Sequence, residues 1–270
     1  MSHISTRLCS AHRNDEVRRL RSLLDDRKPV ICVTTQLIEA GVDISFRCVV
    51  RALAGIDSAA QAAGRCNRNG ESGCRDVYVM ELGEENLSRL PEISKAGQSA
   101  KIVCGQCRFD DILSPEAAAE YFSRYYAEME EMLDYKANDR AQKSSLLDML
   151  SLNQNRGNHR ETRYTGQAFA EAGHKFEVID NDTTSVLVPY NDEAREMISR
   201  LNGRLDIQDA AKLQRKAQKY TVGVYPLELK RLEDECAVYD LASGAFALKE
   251  GYYDKALGMV SKGQEENYIF

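Results

Sequence analysis

From His12 to Asp26 the apolar residues Val17, Leu20, Leu23 and Leu24 recur at three- and four-residue intervals, the spacing of a helix with one buried face. Lys28-Pro29 stops that helix. Val30-Ile31-Cys32-Val33-Thr34 follows as a short β-branched run, the kind that buries both faces of a parallel strand. Cys48-Val49-Val50-Arg51-Ala52 and Val77-Tyr78-Val79-Met80 repeat the pattern, with helical segments between them. This alternation predicts an α/β unit, a parallel sheet covered by helices, over residues 1–83.

A polar stretch from Gly83 to about Ser114 marks a boundary. The chain then reads as helical from Pro115 to about Leu150, with Pro115 suited to a first helical position and Glu116 to the first turn. Tyr121, Phe122, Tyr125, Met129 and Met132-Leu133 recur at helical spacing and read as core in preference to a base-stacking platform. Asn153 to Asn158 is a turn-rich linker, so residues 84–158 form a linking and helical segment. Residues 159–270 read as a small α+β domain. Phe176–Ile179, Ser185–Val188 and Thr221–Tyr225 are strand-like, and Asn191–Leu201 and Ile207–Lys219 are helical.

Composition narrows the setting. A chain of 270 residues, 43% hydrophobic and 29% charged, is ordinary for one large or two modest globular domains. No apolar run approaches the roughly 20 residues that cross a bilayer, and Met1-Ser2-His3 opens no signal peptide. The expectation is a cytoplasmic protein without a membrane partner. The eight cysteines are scattered, several in strand-like runs, and read as reduced thiols. Cys104 and Cys107 have metal-like spacing, but a tetrahedral zinc site needs two more ligands and no second close pair follows, so no metal site is expected. Net charge is −6, so any contact with nucleic acid must be local.

The chemistry concentrates between Val33 and Gly70. Thr34 and Thr35 place hydroxyls at a strand's carboxyl end, where exposed N–H groups can hold phosphate oxygens. After a short helix comes Gly41, which permits close backbone approach or positive φ. Asp43 follows, able to accept a ribose hydroxyl or orient an arginine. Ser58 and Gln61 have capping-box spacing, which predicts a helix start there. Gln61, Arg65 and Arg68 then fall four and three apart on one helical face. Two guanidiniums so placed suit a phosphoryl group in transfer, whose charge spreads over three oxygens. The alternative is two arginines on a solvated helix.

Together, Thr35-x-x-x-x-x-Gly41-x-Asp43 and Gln61-x-x-Gly64-Arg65-x-x-Arg68 resemble motifs V and VI of superfamily 2 helicases. The resemblance implies a second RecA-like lobe that closes on a first lobe around ATP and Mg²⁺. In that frame Arg65 and Arg68 face the γ-phosphate, with Arg68 as the arginine finger. Gln61, Gly41 and Asp43 contact nucleotide, and Thr34 and Thr35 touch the nucleic-acid backbone. Ser5-Thr6-Arg7-Leu8-Cys9-Ser10-Ala11-His12-Arg13, together with Thr35–Ile44 and Ala54–Ser58, is similar to the helicase–nuclease family of type I CRISPR interference. Val186–Tyr190, Leu213–Val222 and Gly251-Tyr252-Tyr253-Asp254 with Leu257-Gly258 resemble that family's C-terminal accessory domain. His12 and Arg13 would then bind the single strand's backbone. The implied partners are single-stranded DNA, unwound 3′ to 5′, and the CRISPR surveillance complex.

Three family features are missing from the sequence. No G-x-x-x-x-G-K-[ST] phosphate loop occurs, and Asp234-Glu235-Cys236-Ala237 follows a charged helical stretch where a Walker B acid would follow an apolar strand. None of His3, His12, His159 and His174 precedes Asp, as the family's nuclease requires. The expectation is a C-terminal piece, a split-gene product or a truncation, whose ATP hydrolysis needs the missing first lobe. Two other readings stay open: a non-catalytic scaffold that binds DNA or the surveillance complex, and the second lobe of an unrelated RNA helicase. Lys212, Arg215, Lys216 and Lys219 read as a solvated helix face, with a track for a DNA backbone as the alternative.

Overall fold

The structure, a computed structural model, describes residues 1–39, 41–70, 73–83, 87, 90–106, 109, 111–135, 145–151, 167–176 and 182–261. Cys107, the linker 153–158 and all but the first residue of the strand expected at 176–179 lie outside the described residues.

In chain order the first elements are β1 (Ser2–Ile4), α1 (Ser10–Asp25), β2 (Cys32–Thr34), β3 (Val49–Ala52), α2 (Ile56–Ala63) and β4 (Val77–Met80). The helices α3 (Pro91–Gly105), α4 (Pro115–Leu133), α5 (Leu146–Leu150) and α6 (Phe169–Lys175) follow. Next come β5 (Thr184–Leu187), α7 (Asp192–Leu201), α8 (Ile207–Ala217), β6 (Thr221–Val224) and α9 (Pro226–Asp234). The chain closes with β7 (Val238–Asp240), β8 (Phe246–Leu248), β9 (Tyr253–Asp254) and β10 (Gly258–Met259). The fold is α/β. It divides into two compact units, one formed by Met1–Phe46 with Asn181–Phe270, the other by Arg47–Asp180.

In the first unit β1 and β2 run parallel, Ser2 beside Cys32 and Ile4 beside Thr34, and α1 crosses between them. The apolar stripe of α1 explains the crossover: Leu20 is fully buried against Ile4, Ile38 and Ile44, flanked by Val17 and Leu24. Sequence pattern did not show β1, because Ser-His-Ile carries a single large apolar residue. The C-terminal part forms a four-stranded sheet in the order β6-β5-β8-β7, with β5 antiparallel to β6 and parallel to β8. Strand alternation puts Val186 and Val188 into one core and Leu187 into another, the latter closed by Ile198, Leu201 and Leu213 of α7 and α8. Asn191 and Asp206 cap these helices, accepting from the amides of Ala194 and Asp209. Cys9, at the start of α1, belongs to the same core as Val186, Val222 and Leu248. The first turn of α1 and the four-stranded sheet thus share one interior.

In the second unit β3 and β4 pair in parallel, Val49 beside Val77 and Ala52 beside Met80, with α2 in the crossover. Val50, Tyr78 and Met80 point to one side of this ladder and are exposed. Three of the helices differ from expectation. The polar stretch after Gly83 contains α3, which packs through Ala96, Ser99, Ala100 and Val103. Its small residues give no large apolar stripe, and Gly97 lets it approach the carbonyl of Ala54. The helix beginning at Pro115, capped by Ser114, ends at Leu133, since Asp134 is extended at φ −94° and ψ 105°. Helix α2 starts at Ile56, two residues before Ser58, with Gly55 at its N-cap and no side-chain cap. Tyr121 is 1% exposed in the core with Ile56, Ala100, Val103 and Ala117, as the aromatic stripe predicts.

Candidate nucleotide and nucleic-acid site

The predicted residues fall into two groups, one in each unit. Thr34, Thr35, Gly41, Asp43, His12 and Arg13 belong to the first unit, and Gln61, Arg65 and Arg68 to the second. Each group is built by its own βαβ crossover.

In the first unit, Thr34 ends β2 and Thr35 follows it, exposed, with its amide bonded to the carbonyl of Ile4 at 3.2 Å. The short helix expected next is a single 3₁₀ turn, Gln36–Ile38. Gly41 lies at φ +74° with open space around the position of a Cβ, so its backbone can be closely approached. Arg21 of α1 donates from Nε to the carbonyl of Asp43 at 3.0 Å and so fixes the loop that carries the acid. No pattern in the arginine-rich face of α1 singled this residue out.

His12 and Arg13 occupy the first turns of α1 but face differently. Arg13 is half-exposed and donates from Nη2 to Ser10 Oγ at 3.0 Å. His12 is 2% exposed, its ring stacked on Tyr190 with centroids 4.4 Å apart and its Nδ1 3.0 Å from the Tyr253 hydroxyl. Burial holds the His12 imidazole below its ordinary value, against the pull of nearby Glu16, Asp15 and Asp254 and a hydrogen bond to the backbone of Lys255. Of the pair, Arg13 is the residue whose side chain meets solvent.

In the second unit Gln61 is exposed on the last turn of α2. The helix then stops, which corrects the expectation of one helical face. Gly64 caps it, Arg65 and Arg68 lie in turns, and Asn67 adopts a left-handed φ of +49°. Asn67 Nδ2 donates to the carbonyl of Gly73 at 3.0 Å, and Cys66 Sγ lies 3.7 Å from the carbonyl of Asp76. The arginines therefore ride on a stapled turn, Arg65 half-buried and Arg68 exposed. Behind them the Tyr121 hydroxyl donates to Asp57 at 2.9 Å, tying the start of α2 to α4. Burial and the Asp57 carboxylate both raise the Tyr121 phenol, so it stays a donor. A Cβ on Gly55 would collide with both partners of this bond.

In the basic stripe, Lys212 on α8 and Lys219 in the turn after it are ion-paired. Lys219 donates to Glu193 at 2.9 Å, and Lys212 lies 3.5 Å from Asp209. Both pairs fit the solvated-face reading. Asp234 ends α9, and Cys236 follows it at φ +53°, a helix terminus with no apolar strand before it. Among the described residues no three His, Cys, Asp or Glu side chains gather as a metal site. Among them, too, no helix is long and apolar enough to cross a membrane.

The chain is α/β, and its first two crossovers carry the threonine–glycine–aspartate and glutamine–arginine segments that resemble motifs V and VI of superfamily 2 helicases. Residues 1–71 match the family described as CRISPR-associated nuclease/helicase Cas3, C-terminal. The CRISPR-associated nuclease/helicase Cas3 of Haloferax volcanii is 56% identical over 45 residues, a stretch that covers 17% of this chain and 5% of that protein. The chain is similar in fold to the crystal structure of T. fusca Cas3-ADP, with a TM-score of 0.53 and 14% identity, over 96% of this chain and 35% of that one. T. fusca Cas3-ATP superposes with a TM-score of 0.44 and 15% identity, over 83% of this chain and 29% of that one. Residues 1–71 are thus similar to the C-terminal part of the Cas3 nuclease/helicase, the rest of the chain shares that structure's fold, and the chain spans only a fraction of these relatives' lengths.

Proposed function

We propose that this chain is the C-terminal portion of an ATP-dependent DNA helicase acting in type I CRISPR antiviral interference. In this reading residues 1–83 are the second motor lobe, 84–158 a helical linker and 159–270 an accessory domain. The observation that carries the reading is one of position: both motif segments, Thr34 to Asp43 and Gln61 to Arg68, fall inside the 71 residues that match the Cas3 family. Arg65 and Arg68 would supply positive charge to the γ-phosphate, and Gln61, Gly41 and Asp43 would contact the nucleotide. The exposure of Arg68 supports a role on a phosphate held outside the chain. ATP and Mg²⁺ would be held jointly with a first lobe that brings the phosphate loop, because this sequence has none.

A second feature supports an incomplete lobe. Parallel sheets are normally covered on both faces, yet the β3–β4 ladder leaves Val50, Tyr78 and Met80 exposed. Thr34, Thr35 and Arg13 would line the path of single-stranded DNA, translocated 3′ to 5′, with His12 shaping the helix that presents Arg13. The surveillance complex is the proposed protein partner, and the cytoplasm the proposed compartment.

Titrating the whole chain with fluorescent single-stranded DNA and RNA at several salt concentrations tests the nucleic-acid half of this reading. Preferential DNA binding, weakened in Arg13→Ala with a salt slope shallower by about one contact, is the expected result. Preference for RNA would favour an RNA helicase lobe. Binding unaffected by Arg13→Ala and Thr35→Ala would remove the proposed path.

A further inference from the structure

The C-terminal hairpin β9–β10 reaches back to the first turn of α1. Met259 N–H donates to the carbonyl of Arg7 at 3.0 Å, and Arg7 Nη1 donates to the carbonyl of Met259 at 3.3 Å. Gly258 lies at φ +80°, where a Cβ would strike the Arg7 carbonyl oxygen. The Tyr253 hydroxyl, on the same hairpin, accepts from Cys9 N–H at 3.2 Å and lies 3.0 Å from His12 Nδ1. A neutral His12 can accept the Tyr253 proton at Nδ1, and the same hydroxyl lies 3.5 Å from Cys9 Sγ. Tyr190 stacks on the same imidazole, meets the Tyr253 ring edge-on with centroids 6.2 Å apart, and donates to Asp15 at 2.7 Å. Two aromatic residues from the accessory domain therefore pack against the histidine of α1 and against each other.

This network continues without a gap to Arg13. The Cys9 carbonyl accepts Arg13 N–H at 3.0 Å, and Ser10 Oγ, one residue along, accepts from the guanidinium at 3.0 Å. On its far side the segment is anchored through Ile4, whose carbonyl accepts from Thr35. The first turn of α1 is thus held between the strand end bearing Thr35 and the hairpin bearing Tyr253.

We infer that Tyr253, with Tyr190 stacked on His12, is a positioning residue for nucleic-acid binding: it fixes the first turn of α1 so that Arg13 meets a phosphodiester backbone. The inference rests on the proposed role of Arg13. The Tyr253 hydroxyl is engaged by Cys9 and His12, so it acts through α1 and does not contact the strand. The accessory domain then serves as the clamp that gives the N-terminal motif its shape.

A double-mutant cycle on the full chain, read as the dissociation constant for a fluorescein-labelled oligothymidylate, tests this. Tyr253→Phe keeps the ring and removes the hydroxyl. It should weaken binding by about fivefold, the factor of one lost hydrogen bond of ordinary strength. In an Arg13→Ala background the same change should have no effect, because the side chain it positions is gone. Equal losses in both backgrounds, or wild-type affinity for Tyr253→Phe, would overturn the inference while leaving the proposed function standing. Wild-type chain that does not bind the oligonucleotide at all would overturn both. Circular dichroism melting checks that each variant folds. Should Tyr253→Phe fail to fold, Tyr190→Phe, which removes only the bond to Asp15, runs the same cycle: coupling to Arg13 supports the inference and additivity overturns it.

Discussion

Replacing Gly258 with alanine probes the clamp between hairpin and helix most sharply. Gly258 has φ +80°, where a residue with a Cβ costs about 1–2 kcal/mol. Gly244 has nearly the same φ, +79°, but nothing lies within 4 Å of its Cβ position. Gly244→Ala therefore measures the backbone cost alone. At Gly258 the new methyl would also strike the Arg7 carbonyl oxygen and come within 2.8 Å of Arg7 C and Leu8 Cδ2. Arg7 cannot retreat, because Leu8 and Cys9 behind it are fully buried. The hairpin must move, which stretches the 3.0 Å bond from Met259 and partly uncovers its side chain. Overpacking of this kind costs about 1–3 kcal/mol and the lost hydrogen bond about 1 kcal/mol, so Gly258→Ala should cost about 3–6 kcal/mol in all. Urea unfolding followed by far-ultraviolet circular dichroism gives both values, and amide hydrogen exchange over residues 7–13 locates the damage. Equal costs for the two alanines, or unchanged exchange in that peptide, would refute the reasoning.

Three further outcomes follow from the same geometry. Gly55→Ala should cost about 2–4 kcal/mol by driving Tyr121 from Asp57, and less in a Tyr121→Phe background, where one of the two struck oxygens is absent and Asp57 has no bond to break as it turns away; a urea cycle that shows additivity contradicts this. His12 and His3 are both held below their ordinary value of 6.5, chiefly by burial, so the unfolded chain binds more protons as pH falls through 6.5. Stability contributed by these neutral rings is complete above pH 6.5 and is lost below it, and a denaturation midpoint flat between pH 7.5 and 5.5 would count against their burial. Burial pushes the Cys32 thiol from 9.0 up to about 11, so at pH 8 it carries about a hundredfold less thiolate than an ordinary cysteine. Iodoacetamide mapped by mass spectrometry should therefore label exposed Cys74 long before Cys32, and equal labelling would contradict the placement of β2.

What the sequence made legible was whatever local spacing and local caps control. Helix α1 follows from Val17, Leu20 and Leu24, α7 and α8 fall within the segments that read as helical, and the β-branched runs became β2, β3 and β4. Helix α3 was hidden because alanine, serine and glycine do its packing, and small residues leave no apolar stripe. The motif segments were recognisable as wording, but their shape was not. Helical spacing placed Arg65 and Arg68 on one face, whereas Gly64 and the left-handed Asn67 end the helix first. His12 read as a surface residue because the partner that its ring nitrogen meets, Tyr253, is 241 residues away. No window of sequence contains such a contact. The same distance hid the role of the Gly-Tyr-Tyr-Asp segment, visible only as a likeness in the tail.

The central claim is that this chain holds one half of an ATP site, with Arg68 as the group that acts on a phosphate held elsewhere. ATP turnover in the presence of single-stranded DNA tests it most directly. The chain would be assayed alone and then mixed with a separately expressed lobe bearing the phosphate loop and its metal-binding acid. The account predicts no turnover from the chain alone, turnover on mixing, and loss of that turnover with Arg68→Ala. Robust hydrolysis by the isolated chain, abolished by the same substitution, would contradict it.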